Sequence, residues 1–342
     1  MLEILWLCLV AFMIAGYVIL DGFDLGAGAI HLFVARTAEE RKLLIRSIGP
    51  FWDGNEVWLL AGGGTLFFAF PGLYASSFSG FYLPLMIVLW LLILRAVSIE
   101  FRNHVNSAVW IPVWDAGFAV SSLLLAVFFG AALGNVIRGV PLSASGDFFL
   151  PLWTNLMPGR EPGVLDWYTA LTGVAALAAL AEHGALWAAY KTGGGLEARS
   201  RAAARSLWWL LLLLTLAITA ASFWIQPQIL RNFQNYPWGI IFPAIALVGL
   251  AGMRGARNEL RGFLASCAYL AGMLTSAAFG IFPYVLPSNL DPAQGLTIYN
   301  TAPGRNGLRI GLAWWIPGMA LALLYSATVY RKFSGKIGAA SA

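Results

Sequence analysis

The chain has 342 residues, of which 59% are hydrophobic and only 11% charged, with a formal net charge of +5. A water-soluble chain needs roughly a quarter of its residues charged to cover its surface, so the composition excludes an ordinary soluble protein. The apolar residues come in unbroken blocks such as 207–225, long enough to cross a bilayer core of about 30 Å at about 1.5 Å per residue.

Hydropathy draws nine spans in chain order: 3–33, 54–72, 78–101, 114–137, 166–190, 206–226, 238–253, 259–286 and 309–330. The first starts at Leu2 with no basic stretch and no small-residue cleavage site, so it reads as a retained span. The longest connections are 138–165 and 287–308, and the chain reads as one all-α membrane domain over 1–342. Cys8 and Cys267 are isolated within spans and read as packing residues. Trp6, Trp58, Trp110, Trp153, Trp238 and Trp314 fall near span ends, as an interfacial belt requires.

Basic residues set the orientation. Sixteen of the 21 fall in the connections after spans one, three, five and seven, at the adjoining span ends and in the C-terminal tail; only Arg138, Arg160, Arg231, Arg305 and Arg309 fall on the other side. The positive-inside rule puts the first side in the cytoplasm, with the N-terminus outside and the C-terminus inside. An odd number of spans is then required, as counted. The net charge follows from this bias, and the basic-aromatic clustering of a nucleic-acid surface is absent.

Acidic residues inside spans are costly and are functional candidates by default. Asp21 and Asp24 lie three apart in the first span and share a helix face. Asp21 is about 14 residues, or roughly 20 Å, from the cytoplasmic end. The second span opens through Pro50, with Asp53 and Glu56 in its first turns, where the helix dipole favours negative charge. The third carries Arg95 about two turns before its cytoplasmic end, followed by Glu100 and Arg102. Stacked by depth, Glu100 and Glu56 lie near the surface, Asp53 and Arg95 deeper, then Asp24, then Asp21 near the middle. Three roles fit such a ladder: ion pairs that lock helices, a path for protons or cations, and a substrate-binding carboxylate. His31, His104 and His183 are the only histidines and are scattered toward the cytoplasmic side. They do not form the facing axial pairs that a bundle uses to hold haem.

The motifs together resemble subunit II of the cytochrome bd-type quinol oxidases. They are Leu20-Asp21-Gly22-Phe23-Asp24-Leu25-Gly26, Trp52-Asp53-Gly54-Asn55-Glu56-Val57-Trp58, Phe78-Ser79-Gly80-Phe81-Tyr82, Arg95 with Glu100-Phe101-Arg102, the segment 129–141, Phe282-Pro283-Tyr284 and the closing 325–332. The resemblance covers essentially the whole chain, which is shorter than some members around 226–238. It implies two four-helix bundles plus a peripheral helix in a bacterial inner membrane. It also implies a role in oxidising quinol and reducing oxygen to water. The three haems, two of b type and one of d type, would be liganded by the partner, subunit I, and this chain would ligand none. Small single-span accessory subunits, lipid and quinone complete the implied surroundings. Positions matching Asp21, Asp24, Asp53 and Arg95, with Glu56 and Glu100 beside them, would form part of a route for cytoplasmic protons. A secondary transporter would also place carboxylates mid-membrane, but it should show inverted repeats, and none is visible.

Overall fold

The structure, a computed structural model, describes residues 1–337. Ala342, whose cytoplasmic placement the charge bias predicts, lies outside the described residues. Helices account for nearly every expected span. In order they are α1 (Leu2–Leu20), α2 (Gly22–Val34), α3 (Ala38–Ile48), α4 (Trp52–Ala69), α5 (Pro71–Gly80), α6 (Tyr82–Phe101) and α7 (Trp110–Arg138). There follow α8 (Trp167–Lys191), α9 (Gly194–Ile225), α10 (Pro227–Asn235), α11 (Ile241–Gly255), α12 (Glu259–Ile281) and α13 (Arg305–Lys332). A two-stranded antiparallel hairpin, β1 (Tyr284–Leu286) with β2 (Leu296–Thr297), lies between α12 and α13. Among the described residues eight helical stretches are long and apolar enough to span a membrane, taking α1 with α2 as one. The pair α4 and α5, bent by 120°, makes a ninth if it is one broken span.

Several boundaries differ from the hydropathy reading. Pro71 opens a separate helix α5 after Phe70 leaves helical geometry, so the third span begins at Tyr82 rather than 78. Hydropathy cannot see that break because apolar residues continue through it. Helix α9 starts twelve residues before the expected 206, carrying Arg199, Arg201 and Arg205 on a polar extension. Helix α12 stops at Ile281, short of 286, where the chain turns into β1. The segment 226–238, read as a connection, contains the short helix α10.

Helix α3 has a clear local cause. Thr37 accepts from the Glu40 backbone N–H at 3.2 Å, and Glu40 Oε2 accepts in return from the Thr37 and Arg36 N–H groups, closing a capping box. Burial opposes ionisation of Glu40, but the Arg199 guanidinium and those two N–H groups outweigh it and hold the carboxyl below its ordinary value. Leu44, Ile45 and Ile48 point inward from α3.

Helices α8, α9, α11 and α12 pack in a closed ring, which is one four-helix bundle. The other group is α1 with α2, α4, α6 and α7, and it joins the first where α2 and α7 lie against α8. Helix α13 is peripheral: only 6% of its apolar window is buried, against 67% for α8. The seam between bundles depends on Gly26 and Gly184. A Cβ on Gly26 would lie 2.7 Å from the Gly184 backbone N, so the helices meet almost backbone to backbone. Gly26→Leu should therefore cost at least about 1–3 kcal/mol of overpacking. Its expected result is a sharp drop in folded protein recovered from membranes, read by thermal unfolding. Wild-type thermal stability in that variant would show that the seam is not close-packed.

Candidate functional site

The first span is interrupted at Asp21, between α1 and α2. Two side chains from other helices reach the backbone there. Asn55 Nδ2 donates to the Leu20 carbonyl at 2.9 Å, and His183 Nε2 lies 2.9 Å from the Ile19 carbonyl. Side chains that engage carbonyls of the helical ladder are a known cause of a local break. His183 Nδ1 is in turn 2.7 Å from Ser266 Oγ, so this imidazole is spent on joining α8 to α1 and α12.

The interruption is a single residue, and Asp21 keeps helical backbone angles while its side chain lies against Arg95 of α6. Arg95 Nη1 donates to Asp21 Oδ1 at 2.7 Å, and both side chains are fully buried. The other arm, Nη2, donates to Glu56 Oε2 on α4 at 3.2 Å, and Glu56 is one-quarter exposed. One turn along, Asp24 Oδ2 accepts from Asn55 Nδ2 at 2.8 Å, and Asn55 Oδ1 accepts from Tyr330 OH of α13 at 3.0 Å. Asp21 Oδ2 and Asp24 Oδ1 have no hydrogen-bond partner among the described residues. Each buried carboxyl thus has one oxygen anchored, and beside Asp21 lies the buried Tyr17 hydroxyl, itself without a hydrogen-bond partner among the described residues.

The predicted site residues divide into two sets. Asp21, Asp24, Glu56 and Arg95 come together. Asp53 and Glu100 are exposed and make no ion pair among the described residues. The depth ladder needs two corrections. Glu56 lies further along α4 than Asp53 and reaches the buried guanidinium, whereas Asp53 stays at the helix mouth. Arg95 is no shallower than Asp24; its long side chain reaches straight to Asp21.

A second buried centre escaped the sequence reading. Asp115 Oδ1 of α7 lies 2.9 Å from His31 Nε2 and accepts from Arg102 Nε at 2.5 Å, while Oδ2 accepts from Arg102 Nη2 at 3.3 Å and Arg41 Nη1 at 3.5 Å. Asp115 is the second residue of the 114–137 span, and an acid at the edge of an apolar block is a weaker signal than one in its middle, which hides it in the sequence. A third set, Arg138 with Asp166, Asn135 and the Gly163 carbonyl, ties the end of α7 to the start of α8.

These features define a polytopic helical membrane protein with a carboxylate cluster around one buried arginine, at a break in its first span. The profile of the family described as cytochrome bd terminal oxidase subunit II matches residues 2–333. The chain belongs to that family. It is 31% identical to cytochrome bd-I ubiquinol oxidase subunit 2 of Escherichia coli strain K12, over 98% of this chain and 95% of that one. It is 32% identical to cytochrome bd ubiquinol oxidase subunit 2 of Bacillus subtilis strain 168, over 96% and 95%. The fold matches the structure of bd oxidase from Geobacillus thermodenitrificans with a TM-score of 0.76, covering 97% of this chain and 98% of that one at 18% identity.

The family implies haem in the complex, and this chain's histidines do not fit an axial pair. His183 has both nitrogens engaged, and His31 presents Nε2 to Asp115. His104 sits on an exposed turn with Nδ1 at the Glu100 carbonyl. Among the described residues no group of three or more His, Cys, Asp or Glu is arranged to hold a metal ion.

Proposed function

We propose that this chain is the haem-free second subunit of a quinol:oxygen oxidoreductase in a bacterial inner membrane. It packs against subunit I, which ligands two haems b and one haem d, and it supplies part of the path that brings cytoplasmic protons to the oxygen-reducing site. Quinol gives up electrons and protons, and oxygen takes up electrons and protons to become water. Drawing the second set of protons from the cytoplasm makes the turnover electrogenic without a pump. The basic bias places the α3 face in the cytoplasm.

The observation that carries this reading is the pair of half-anchored carboxyls. A group that relays a proton needs a fixed position and a free oxygen, and Asp21 and Asp24 have both. One guanidinium, paired with Asp21 and Glu56, is the cation of a cluster of three carboxyls that includes Asp24, so the cluster is electrically neutral when two of the three hold protons. Glu56, at the edge of the buried cluster, and Asp53, at the mouth of α4, give a stepwise approach from the α3 face. A purely structural reading also has support, because Arg95 joins α6 to α1 and α4 through two ion pairs.

The test is turnover per haem in the assembled complex. Asp53→Asn keeps shape and hydrogen-bonding capacity but cannot ionise. It should assemble with normal haem content and turn over quinol more slowly, with proton uptake and charge separation most retarded. The Asp21→Asn/Asp24→Asn double variant should be slowed by roughly tenfold or more, as when a relay loses its acid–base groups. Unchanged turnover per haem in both variants would leave only the structural role.

A further inference from the structure

We infer that Tyr330 is a positioning residue that orients Asn55 toward Asp24, and that a strap of residues 333–337 locked over Lys191 holds Tyr330 in place. The inference rests on the proton-route reading and adds to it the part played by the peripheral helix.

The orientation of the Asn55 amide follows from its neighbours. Its Nδ2 lies within 2.9 Å of two acceptors, the Leu20 carbonyl and Asp24 Oδ2. A flipped amide would set oxygen against oxygen at both. Oδ1 must then face Tyr330, whose hydroxyl donates to it at 3.0 Å. Removing that hydroxyl leaves a buried amide oxygen unpaired and frees the side chain to turn away from Asp24.

The span of α13 is lightly seated, with only 6% of its apolar window buried; its firm contacts are the Trp6 indole on the Leu308 carbonyl at one end and the Tyr330 ring among Phe23, Phe51 and Trp187 at the other. Its last turn is fixed from below. Lys191 Nζ donates to the Phe333 carbonyl at 2.5 Å and the Gly335 carbonyl at 2.8 Å, and the Lys191 carbonyl accepts from the Ile337 N–H at 2.8 Å. Lys336 pairs with Glu197 of α9 at 2.6 Å. Phe51 fills the space between, its ring centroid 4.7 Å from that of Tyr330 and 5.6 Å from Lys191 Nζ. The tail of the peripheral helix is thereby coupled through one tyrosine and one asparagine to a buried carboxyl. The charged and titratable groups around Asp24 and Tyr330 are Asp21, Glu56, Arg95 and Cys267, with His183 on the adjoining carbonyl.

The experiment uses the whole oxidase complex and reads haem content, turnover per haem and its pH profile. Variants are Asp24→Asn, Tyr330→Phe, Lys191→Met and Tyr330→Phe combined with Asp24→Asn. Tyr330→Phe and Lys191→Met should keep normal haem content, lose roughly two- to tenfold in turnover per haem, the worth of one hydrogen bond, and shift the pH profile. Tyr330→Phe should add nothing in the Asp24→Asn background. If Asp24→Asn is slow while Tyr330→Phe keeps the wild-type rate and profile, or if the two losses add in full, the positioning role is overturned and the proton route stands. Loss of haem content in Tyr330→Phe would show a structural residue and overturn it likewise. A wild-type rate in Asp24→Asn would remove the part of the route on which both readings depend.

Discussion

Replacing Arg95 with methionine should prevent recovery of a stable complex. The side chain keeps much of its length and apolar volume, so the change isolates the charge. Without the guanidinium, Asp21 loses its only ion-pair partner among the described residues while fully buried, and Glu56 loses the inner of its two surroundings, guanidinium and water. Breaking a buried pair by removing one partner costs about 3–5 kcal/mol, because the remaining charge is left uncompensated. That is a large part of the roughly 5–15 kcal/mol by which folded domains are stable. Asp21 must then take a proton, or the α1–α2 break must rearrange. Adding Asp21→Asn to Arg95→Met removes the stranded charge, so the double variant should recover folded protein lost in the single one. Glu56→Gln should rescue less, since Glu56 already reaches water. The measurement is haem-bearing complex per membrane protein, with thermal unfolding. A single variant as stable as the parent would show that Arg95 is not neutralising Asp21.

The extent to which the sequence discloses this arrangement depends on the range of the interactions. Span number and apolar character are local properties, visible in runs of the chain. The candidates Asp21, Asp24, Glu56 and Arg95 were legible because each is costly in a span wherever it points. Their partnership was not legible in detail: Arg95 and Asp21 are 74 residues apart, and helical rise places α-carbons but not the end of a long guanidinium side chain. The break at Asp21 was hidden for the same reason, since Asn55 and His183, which engage its flanking carbonyls, lie 35 and 164 residues away along the chain. Asn55 and Tyr330 are neutral, so no cost argument marks them, although both lie in segments that carry the family resemblance. Asp53 shows how relative depth is misjudged from sequence. Its charge resembled that of Glu56, but one turn of helix separates an exposed mouth from a buried cluster.

Asp115→Asn should also destabilise the protein severely, with a signature unlike that of Asp21 or Asp24. Asp115 is buried in α7 and takes bonds from His31 of α2, Arg102 beyond α6 and Arg41 of α3. It therefore ties together four segments at the α3 end of the first bundle. Its Oδ1 serves both His31 and Arg102, and its Oδ2 serves both arginines. An asparagine offers one oxygen and one NH2 group, so it must point a donor at a guanidinium or at the imidazole. Arg102 is nearly fully buried and cannot escape to water, whereas the Arg41 side chain is 28% exposed and can. The expected loss is about 3 kcal/mol or more, the cost of stranding a buried cation. Arg41→Ala, which removes the long and partly solvated contact to Asp115 and a 3.3 Å bond to the Ala35 carbonyl, should cost less, about 1 kcal/mol. Among the described residues this centre shares no hydrogen bond with the Asp21–Arg95 network. Complex that does assemble with Asp115→Asn should accordingly turn over at the parental rate per haem, while melting at a lower temperature. The Asp21/Asp24 variants should be marked instead by slow turnover per haem, with the loss of melting temperature on removing the Asp21 charge limited because Glu56 still pairs with Arg95. A parental melting temperature combined with slow turnover in Asp115→Asn would instead place His31 and Asp115 on the proton route.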